Sequence, residues 1–452
     1  MPVRVLFVVP YPPSLIRVRP YNLIRQLSAR GHQVTVATLW TTQQEREEAQ
    51  ALKRHCSEVV SVRLPRQRSA WNCLAALLTQ TPLQAVYCWS PVLSDHIARL
   101  APHVDVVHVE HLRGVRYGLQ AVRRLAVRQQ AAAAGGQRVP VVWDSVDCIS
   151  YLFQQAVKNS RSRKARLLTR LEAERTRRYE AWLIRQFDRV LVTSQADSQA
   201  MHDLAAGLRV PMAGGARSIP VSVLPNGVDL DYFTPSNEPR DAATLVFTGK
   251  MSYHANMTAA LYLVHEIMPH VWARRPDVRV CLVGKDPPRE IRALAQTDQN
   301  GMGADERCSP WRGRVIITGT VPDIRPYLRR ATLAVAPVPY GAGIQNKVLE
   351  AMACGTAVVA SPQAASALAI CPNRDLVVAA GARPFAHALL ALLDDRERRQ
   401  QLERDGRSYV EAHHHWQTVA ADLEAIYQST QESAAHVHAR KNSSHEVIYA
   451  ST

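Results

Sequence analysis

The stretch RVLFVVPYPPSLIRVRPYNLIRQLSARGHQVTVATL (residues 4–39) decides the fold. RVLFVVP is a short apolar run stopped by prolines, which reads as a buried strand. Residues 20–30 carry apolar side chains at helical spacing, and Gly31 suits the C-cap of that helix. QVTVATL then reads as a second strand. Strand, helix and strand with a tight return make a βαβ unit, which predicts a parallel sheet with helices on both faces.

The same rhythm runs outward from this unit. DVVHV (105–109), PVVWDS (140–145) and RVLVTS (189–194) read as strands, with a helix expected over 158–187. VSVLPNGVDLDYFTPSNEPRD (221–241) is rich in Pro, Asn and Asp and loses periodicity, so it marks a domain end and a linker. The alternation then restarts. TLVFTG (244–249), VRVCLVG (278–284), RVIITG (314–319) and TLAVAPVP (332–339) read as strands. Helices are expected over 256–274, 323–331, 383–411 and 416–430. The fold class is therefore α/β, with two Rossmann-like parallel-sheet domains facing a central cleft. The expected divisions are a first domain at 1–225, a linker at 226–243 and a second domain at 244–411. A helix at 412–430 is expected to pack back, and the polar tail 431–452 to lack fixed structure.

Composition narrows the class. A chain of 452 residues with 47% hydrophobic and 21% charged residues holds two sizeable cores. Its eight cysteines show no C-x-x-C, which argues for a reducing compartment and against structural zinc. The start, MPVRVLFVVPYPP, is too briefly apolar for a signal peptide, and no run approaches a membrane span. A cytoplasmic protein is expected. The net charge is +16, and residues 158–178 hold nine Lys/Arg against two Glu. Such a stretch reads as a solvated helix face or as a surface for anionic lipid. Interleaved aromatics and zinc-finger spacing are missing, so nucleic acid is not an expected partner.

In doubly wound sheets the ligand sits outside the carboxyl ends of the strands, so chemistry is sought in the loops that follow them. In VFTGKMSYHAN (246–256), Gly249 lets the backbone approach a phosphate and Lys250 adds a mobile positive charge. A solvated surface lysine is the plainer alternative. In YGAGIQNKVLEAMACGTAVVAS (340–361), a glycine-rich turn opens a helix whose free N–H groups suit an anion. Lys347 stands in the first turn, where the helix dipole disfavours it unless an anion offsets it. Glu350, one turn on, is suited to accept from ribose hydroxyls, and a plain Lys347–Glu350 surface pair is the alternative. In VIITGTVPDIRPYL (315–328), the Thr320–Val321–Pro322 loop suits a nucleobase edge, and Asp323 caps the next helix. DVVHVEHLRG (105–114) places His108, Glu110 and His111 at a strand end, a set suited to acid/base work or to a solvated turn. WDSVD (143–147) offers Asp144 and Asp147 in the same way. Asp229 and Asp231 lie in the linker, and His413, His414 and His415 are consecutive, so neither set forms a metal site. The P-loop, the Rossmann glycine fingerprint after the first strand and the G-x-S-x-G elbow are all absent.

Taken in order, FTGKMSYHAN, VCLVGKDPP, VIITGTVPDIRPYL and GAGIQNKVLEAMACGTAVVAS resemble the retaining, nucleotide-sugar-dependent glycosyltransferases of family 4, with the GT-B fold. The last motif is similar to a sub-branch linked to bacterial exopolysaccharide biosynthesis and exosortase systems. PYPP…RPYNLIRQLSARGHQVTVATL, DVVHVEH and PNGVDLDYFTP resemble the family's first domain and linker. The resemblance implies transfer of a sugar from a nucleoside diphosphate to an acceptor with retention, and no metal or other cofactor. It implies a donor site of Gly249, Lys250, Gly284, Val321, Asp323, Gly343, Ile344, Asn346, Lys347 and Glu350. It places Pro13, Arg17 and Arg19 on the acceptor side and gives catalytic roles to Glu110, His111, Lys250 and Lys347. Ala342 stands where the family carries the first of two glutamates eight positions apart, so N–H groups at Gly343 and Ile344 are expected to hold the sugar instead. The acceptor is expected to be lipid-linked or a saccharide, at the inner face of the plasma membrane. A nucleotide-sugar epimerase and a non-catalytic sugar-nucleotide binding protein are the alternatives.

Overall fold

The computed structural model describes residues 2–14, 17–131, 138–159, 163–207, 220–295, 313–340 and 343–449. The side chains of 130–131, 155–169 and 436–449 are outside that description, as are Gly341 and Ala342. The chain divides into two compact units, Met1–Pro225 with Trp416–Thr452, and Asn226–His415.

Among the described residues, the first unit is built on seven strands. These are β1 (Arg4–Val9), β2 (Gln33–Trp40), β3 (Glu58–Arg63), β4 (Val106–Glu110), β5 (Val141–Val146), β6 (Arg189–Val192) and β7 (Val221–Val223). They form one sheet in the order β3-β2-β1-β4-β5-β6-β7. Every pairing is parallel. Because both faces are covered, the central strands are continuous apolar runs rather than alternating ones. Val5, Phe7 and Val9 pack on one face against Leu23, Ile24 and Leu27 of the helix Val18–Ala29, and against Trp416, Val419, Leu423 and Tyr427 of the helix Trp416–Tyr449. Leu6 and Val8 pack on the other face with Leu93, Ile97, Leu112 and Val115. The order reverses between β1 and β4, which makes their carboxyl ends the switch point of the sheet.

Among its described residues, the second unit has six strands. These are β8 (Thr244–Thr248), β9 (Arg279–Val283), β10 (Val315–Gly319), β11 (Leu333–Ala336), β12 (Val358–Ala360) and β13 (Val377–Val378). The sheet runs β10-β9-β8-β11-β12-β13, with every pairing parallel and a switch point between β8 and β11. One apolar core fills both of its faces.

Five expectations are corrected. The stretch 226–243 is part of the second unit, not a free linker: Val228 donates to the His414 carbonyl at 2.7 Å, and His414 Nδ1 lies 2.7 Å from the Asn226 carbonyl. The helix expected over 158–187 is two helices, Ile149–Asn159 and Arg163–Leu183. The helix expected over 383–411 breaks at Asp395, whose carboxylate accepts from the Arg398 N–H and caps the second piece. The segment from 431, expected as an unstructured tail, continues the last helix to Tyr449. The helix near 256–274 is His254–Tyr262 and Met268–Trp272, joined by a π-turn over Leu263–Ile267. Pro269 follows that turn and has no N–H to donate, so the wider turn absorbs the missing bond.

Candidate donor and acceptor sites

In the second unit, two strand-end loops meet backbone to backbone. Gly249 follows β8 with φ 149°, and Gly284 follows β9 with φ 152°. A Cβ on Gly284 would stand 1.7 Å from the Gly249 carbonyl oxygen, so only glycine permits this approach. Asn256, near the start of the next helix, ties the region together. Its amide Nδ2 donates to the Lys250 carbonyl at 3.0 Å, and its Oδ1 accepts from Lys347 Nζ at 2.6 Å.

Lys347 is the second residue of the helix Asn346–Ala353, and no side chain caps that helix. Its ammonium also stands 5.0 Å from the centre of the Phe247 ring. Burial lowers Lys347 to about 8 against the pull of Glu350. Burial raises Glu350 to about 7 against the pull of Lys347. Both are half-buried, so the surface-pair alternative does not describe them. Lys250 is more open, with Nζ 3.8 Å from Asp286 Oδ2. Gly343 has φ 73°, and Ile344 is buried beneath the turn. Asn346 accepts from Asn226 Nδ2 at 3.4 Å. Ala342 lies outside the described residues.

One expected donor-site side chain is already engaged. Asp323 accepts from Arg325 Nε at 2.9 and 3.0 Å and from the Tyr232 hydroxyl at 3.3 Å, so its carboxylate is committed to its own turn. Val321 and Asp323 line a groove of about 540 Å³ together with Thr244 and Arg279. The groove runs along the edge of the sheet, and Val321 itself stands at the carboxyl end, two residues past Gly319, which pairs with Val283 in the parallel β9–β10 register.

The first unit gathers a second set at its switch point. Arg19 and Asp144 form a buried ion pair, 6% and 0% exposed, with Arg19 Nε 2.9 Å from Asp144 Oδ2. Burial alone would raise Asp144, and Arg19 overrides it and holds the carboxyl below its ordinary value. Arg19 also donates to the Leu224 carbonyl at 3.1 Å. It is therefore an interior counter-charge rather than an acceptor-facing residue. His108 is fully buried in β4, stacked on Phe7 at 4.0 Å, with Nδ1 2.9 Å from the Tyr427 hydroxyl and Nε2 3.5 Å from Asp144 Oδ2. Burial lowers its pKa, so it stays neutral.

Glu110 ends β4, and His111 opens the helix His111–Ala131. Burial and then the Asp144 charge raise Glu110 to about 8, and Tyr11 donates its hydroxyl to Glu110 Oε1 at 3.1 Å. Burial and Arg113 lower His111 to about 4. His111 adopts φ 61°, and Val146 at the end of the neighbouring β5 adopts φ 70°. A left-handed β-branched residue costs about 1–3 kcal/mol, so this edge of the sheet is strained. Asp147 is raised to about 7 by burial and Asp197. Arg17 donates to Glu45 at 2.7 Å and lies 4.8 Å over the Tyr11 ring, while Pro13 is buried in the loop.

Asn256 and the His254–Tyr340 pair were not singled out by the sequence. His254 Nδ1 and the Tyr340 hydroxyl are 2.9 Å apart with their rings stacked, which bridges the loops after β8 and β11. The local signal for His254 and Asn256 was their place in SYHAN, three residues past a glycine-ended strand, and Tyr340 stands at the head of YGAG.

Two family models match the chain. One is described as Glycosyltransferase Family 4 and matches residues 17–232. The other is described as Glycosyl transferases group 1 and matches residues 242–395. A phosphatidyl-myo-inositol mannosyltransferase of Mycolicibacterium smegmatis is 28% identical over 214 residues, 46% of this chain and 51% of the relative. A lipopolysaccharide core biosynthesis mannosyltransferase, LpcC, of Rhizobium leguminosarum is 26% identical over 276 residues, 58% of this chain and 70% of the relative. The chain spans about half the length of the first of these curated relatives. Among solved structures, a sucrose-phosphate synthase from Thermosynechococcus elongatus superposes with TM-score 0.63 at 17% identity, over 95% of this chain and all of the other. Anabaena HepE, in complex with UDP and glucose, superposes with TM-score 0.60 at 14% identity over 94% of this chain and 100% of that chain. At these identities the superpositions speak for the fold.

Proposed function

This chain belongs to the family 4 glycosyltransferases of GT-B fold, and we propose that it transfers a sugar from a nucleoside diphosphate to an acceptor with retention at the anomeric carbon. One observation carries the reading. Lys347 is a half-buried cation at a helix start, its ammonium hydrogen-bonded to a neutral amide, beside two glycine loops that bring backbone to the site. A diphosphate there would receive Lys347, the uncapped N–H groups of the helix and the mobile Lys250, without needing a metal. Glu350 takes the ribose hydroxyls. The base is left to the backbone of the Thr320–Val321 turn, since the Asp323 carboxylate is occupied. Stabilising the departing diphosphate is the main electrostatic task. Glu110, neutral near pH 7, and His111, an unprotonated imidazole, are the acceptor-side candidates for proton handling.

The acceptor in this reading is lipid-linked or a growing polysaccharide, in bacterial exopolysaccharide assembly at a membrane face. The named activities of the relatives, phosphatidylinositol and lipopolysaccharide mannosylation, favour a lipid-bearing acceptor. Among the described residues no helix is long and apolar enough to cross a membrane.

The test is a thermal-shift series with UDP, GDP and ADP and their sugars on the full chain. A rise in melting temperature with one nucleoside diphosphate, lost in Lys347→Ala, supports the donor site. Turnover of the matching sugar nucleotide only when an acceptor is added, with the anomeric configuration kept, supports transfer. Conversion of the donor alone would make the protein an epimerase, and saturable binding with no turnover would make it a binding module.

A further inference from the structure

The helix Arg66–Leu77 of the first unit is amphipathic in the wrong sense for a soluble surface. Its inward side buries the small residues Ser69 and Ala76, with Asn72 half-buried and donating to the Trp89 carbonyl at 2.9 Å. Its outward side carries Trp71, 68% exposed, and Leu74, 55% exposed, with Leu78 just past its end at 92%. Positions 71, 74 and 78 lie three and four apart, so they form one stripe. Leu171 of the helix Arg163–Leu183 is 60% exposed, and Arg175 of that helix donates to the Leu77 carbonyl at 3.2 Å. The apolar stripe therefore abuts the basic helix. Contiguous exposed apolar side chains of this size mark an interaction surface rather than ordinary solvent-facing residues.

The other border of the stripe is a groove of about 440 Å³ lined by Asn72, Arg116, Arg123, Tyr179 and Trp182. Arg116 lies 4.5 Å over the Trp89 ring, which holds its guanidinium in place. Aromatic side chains with a polar end, next to arginines and beside an apolar helix, match the chemistry of a bilayer interface. Tryptophan and tyrosine settle at headgroup depth, leucines enter the acyl boundary, and arginines meet lipid phosphates. A protein partner would have to offer an acidic rim around an apolar centre. An anionic lipid surface offers that combination without further design.

We propose that this face docks on an anionic lipid bilayer: Trp71, Leu74 and Leu78 enter the interface, and Arg116 and Arg123 take lipid phosphates in the adjoining groove. The inference deepens the acceptor part of the reading above and rests on it. It also shifts the contact from charge at 158–178 alone to a defined apolar insertion.

The experiment is co-sedimentation of the full chain with phosphatidylcholine vesicles, with and without phosphatidylglycerol, at low and high salt. Wild type is expected to bind only the anionic vesicles and to weaken as salt rises. The combined Trp71→Ser, Leu74→Ser and Leu78→Ser variant is expected to bind at least about tenfold more weakly, with an unchanged melting temperature, because these side chains are exposed. Arg116→Gln with Arg123→Gln is expected to lose most of the salt-sensitive part. Equal binding of wild type to neutral and anionic vesicles overturns the proposal. So does full anionic-vesicle binding by the serine variant. So does a wild-type dimer that the serine variant dissociates, since the face would then be a contact between copies. The thermal shift by nucleoside diphosphate is measured on every variant. If it is absent while lipid docking behaves as expected, the transfer reading fails and the docking face stands; the converse result does the opposite.

Discussion

Lys347 concentrates the chemistry of the second unit. Burial has already lowered it to about 8, so an arriving anion meets a lysine that loses its proton in mildly basic solution. Nucleoside diphosphate affinity is expected to hold below pH 8 and to fall as pH rises above it. Calorimetric titration across pH 6.5–9.5 checks this, and Lys347→Arg should abolish the basic limb because a guanidinium stays charged. Lys347→Ala should cost about ten- to a hundredfold in affinity, the value of one or two charge-assisted hydrogen bonds. Glu110 carries the matching expectation in the first unit. Its folded-state pKa of about 8 lies above its ordinary 4.5, so the folded protein binds the extra proton between those values. The resulting stability is fully present below about pH 4.5 and is lost as pH rises through 8. Glu110→Gln should flatten the decline in melting temperature over that window.

At the scale of elements, the meeting of two loops leaves no room for a side chain at Gly284. Gly284→Ala would drive a Cβ into the Gly249 carbonyl, and urea unfolding should show a loss above about 2 kcal/mol. The interior pair behaves similarly: Arg19→Ala leaves Asp144 buried without its guanidinium and should cost about 3–5 kcal/mol. What was legible from the residues follows the same physics. Central parallel strands are buried on both faces, so β1, β4, β5, β8 and β9 announce themselves as β-branched runs. The missed β3, EVVSVR, is an edge strand with charged ends and half-buried middle residues. The missed β13 has two residues. Gly249, Lys250, Lys347 and Glu350 were legible because glycine and charge are conspicuous at strand and helix ends. Asn256 was not, since its bond to Lys347 joins residues 91 positions apart and an amide carries no local signature. Arg19, expected on the acceptor side from the resemblance, is drawn inside by Asp144, a partner 125 positions away that no local pattern reveals.

The molecule is two compact units, and each should answer separately. Calorimetry is expected to resolve a transition that nucleoside diphosphate raises, belonging to the unit that holds Lys347. Leu423→Ala, in the last helix, should lower the other transition by about 2–5 kcal/mol, because Leu423 packs in the first unit's core. If both perturbations move a single common transition, the two cores unfold as one.

That last helix also orders events in time. Phe7, Leu23 and Ile24 are made early in synthesis, yet the residues that share their core, Trp416, Val419, Leu423 and Tyr427, follow the whole second unit in the chain. A growing polypeptide that folds as it emerges completes the second unit first and leaves one face of the first sheet uncovered meanwhile. At ribosomal speeds that interval is on the order of ten seconds or more. A product terminated early would keep an intact second unit while showing an apolar sheet face to chaperones and proteases. The core of the first unit is therefore complete only in chains that have been read past Tyr427.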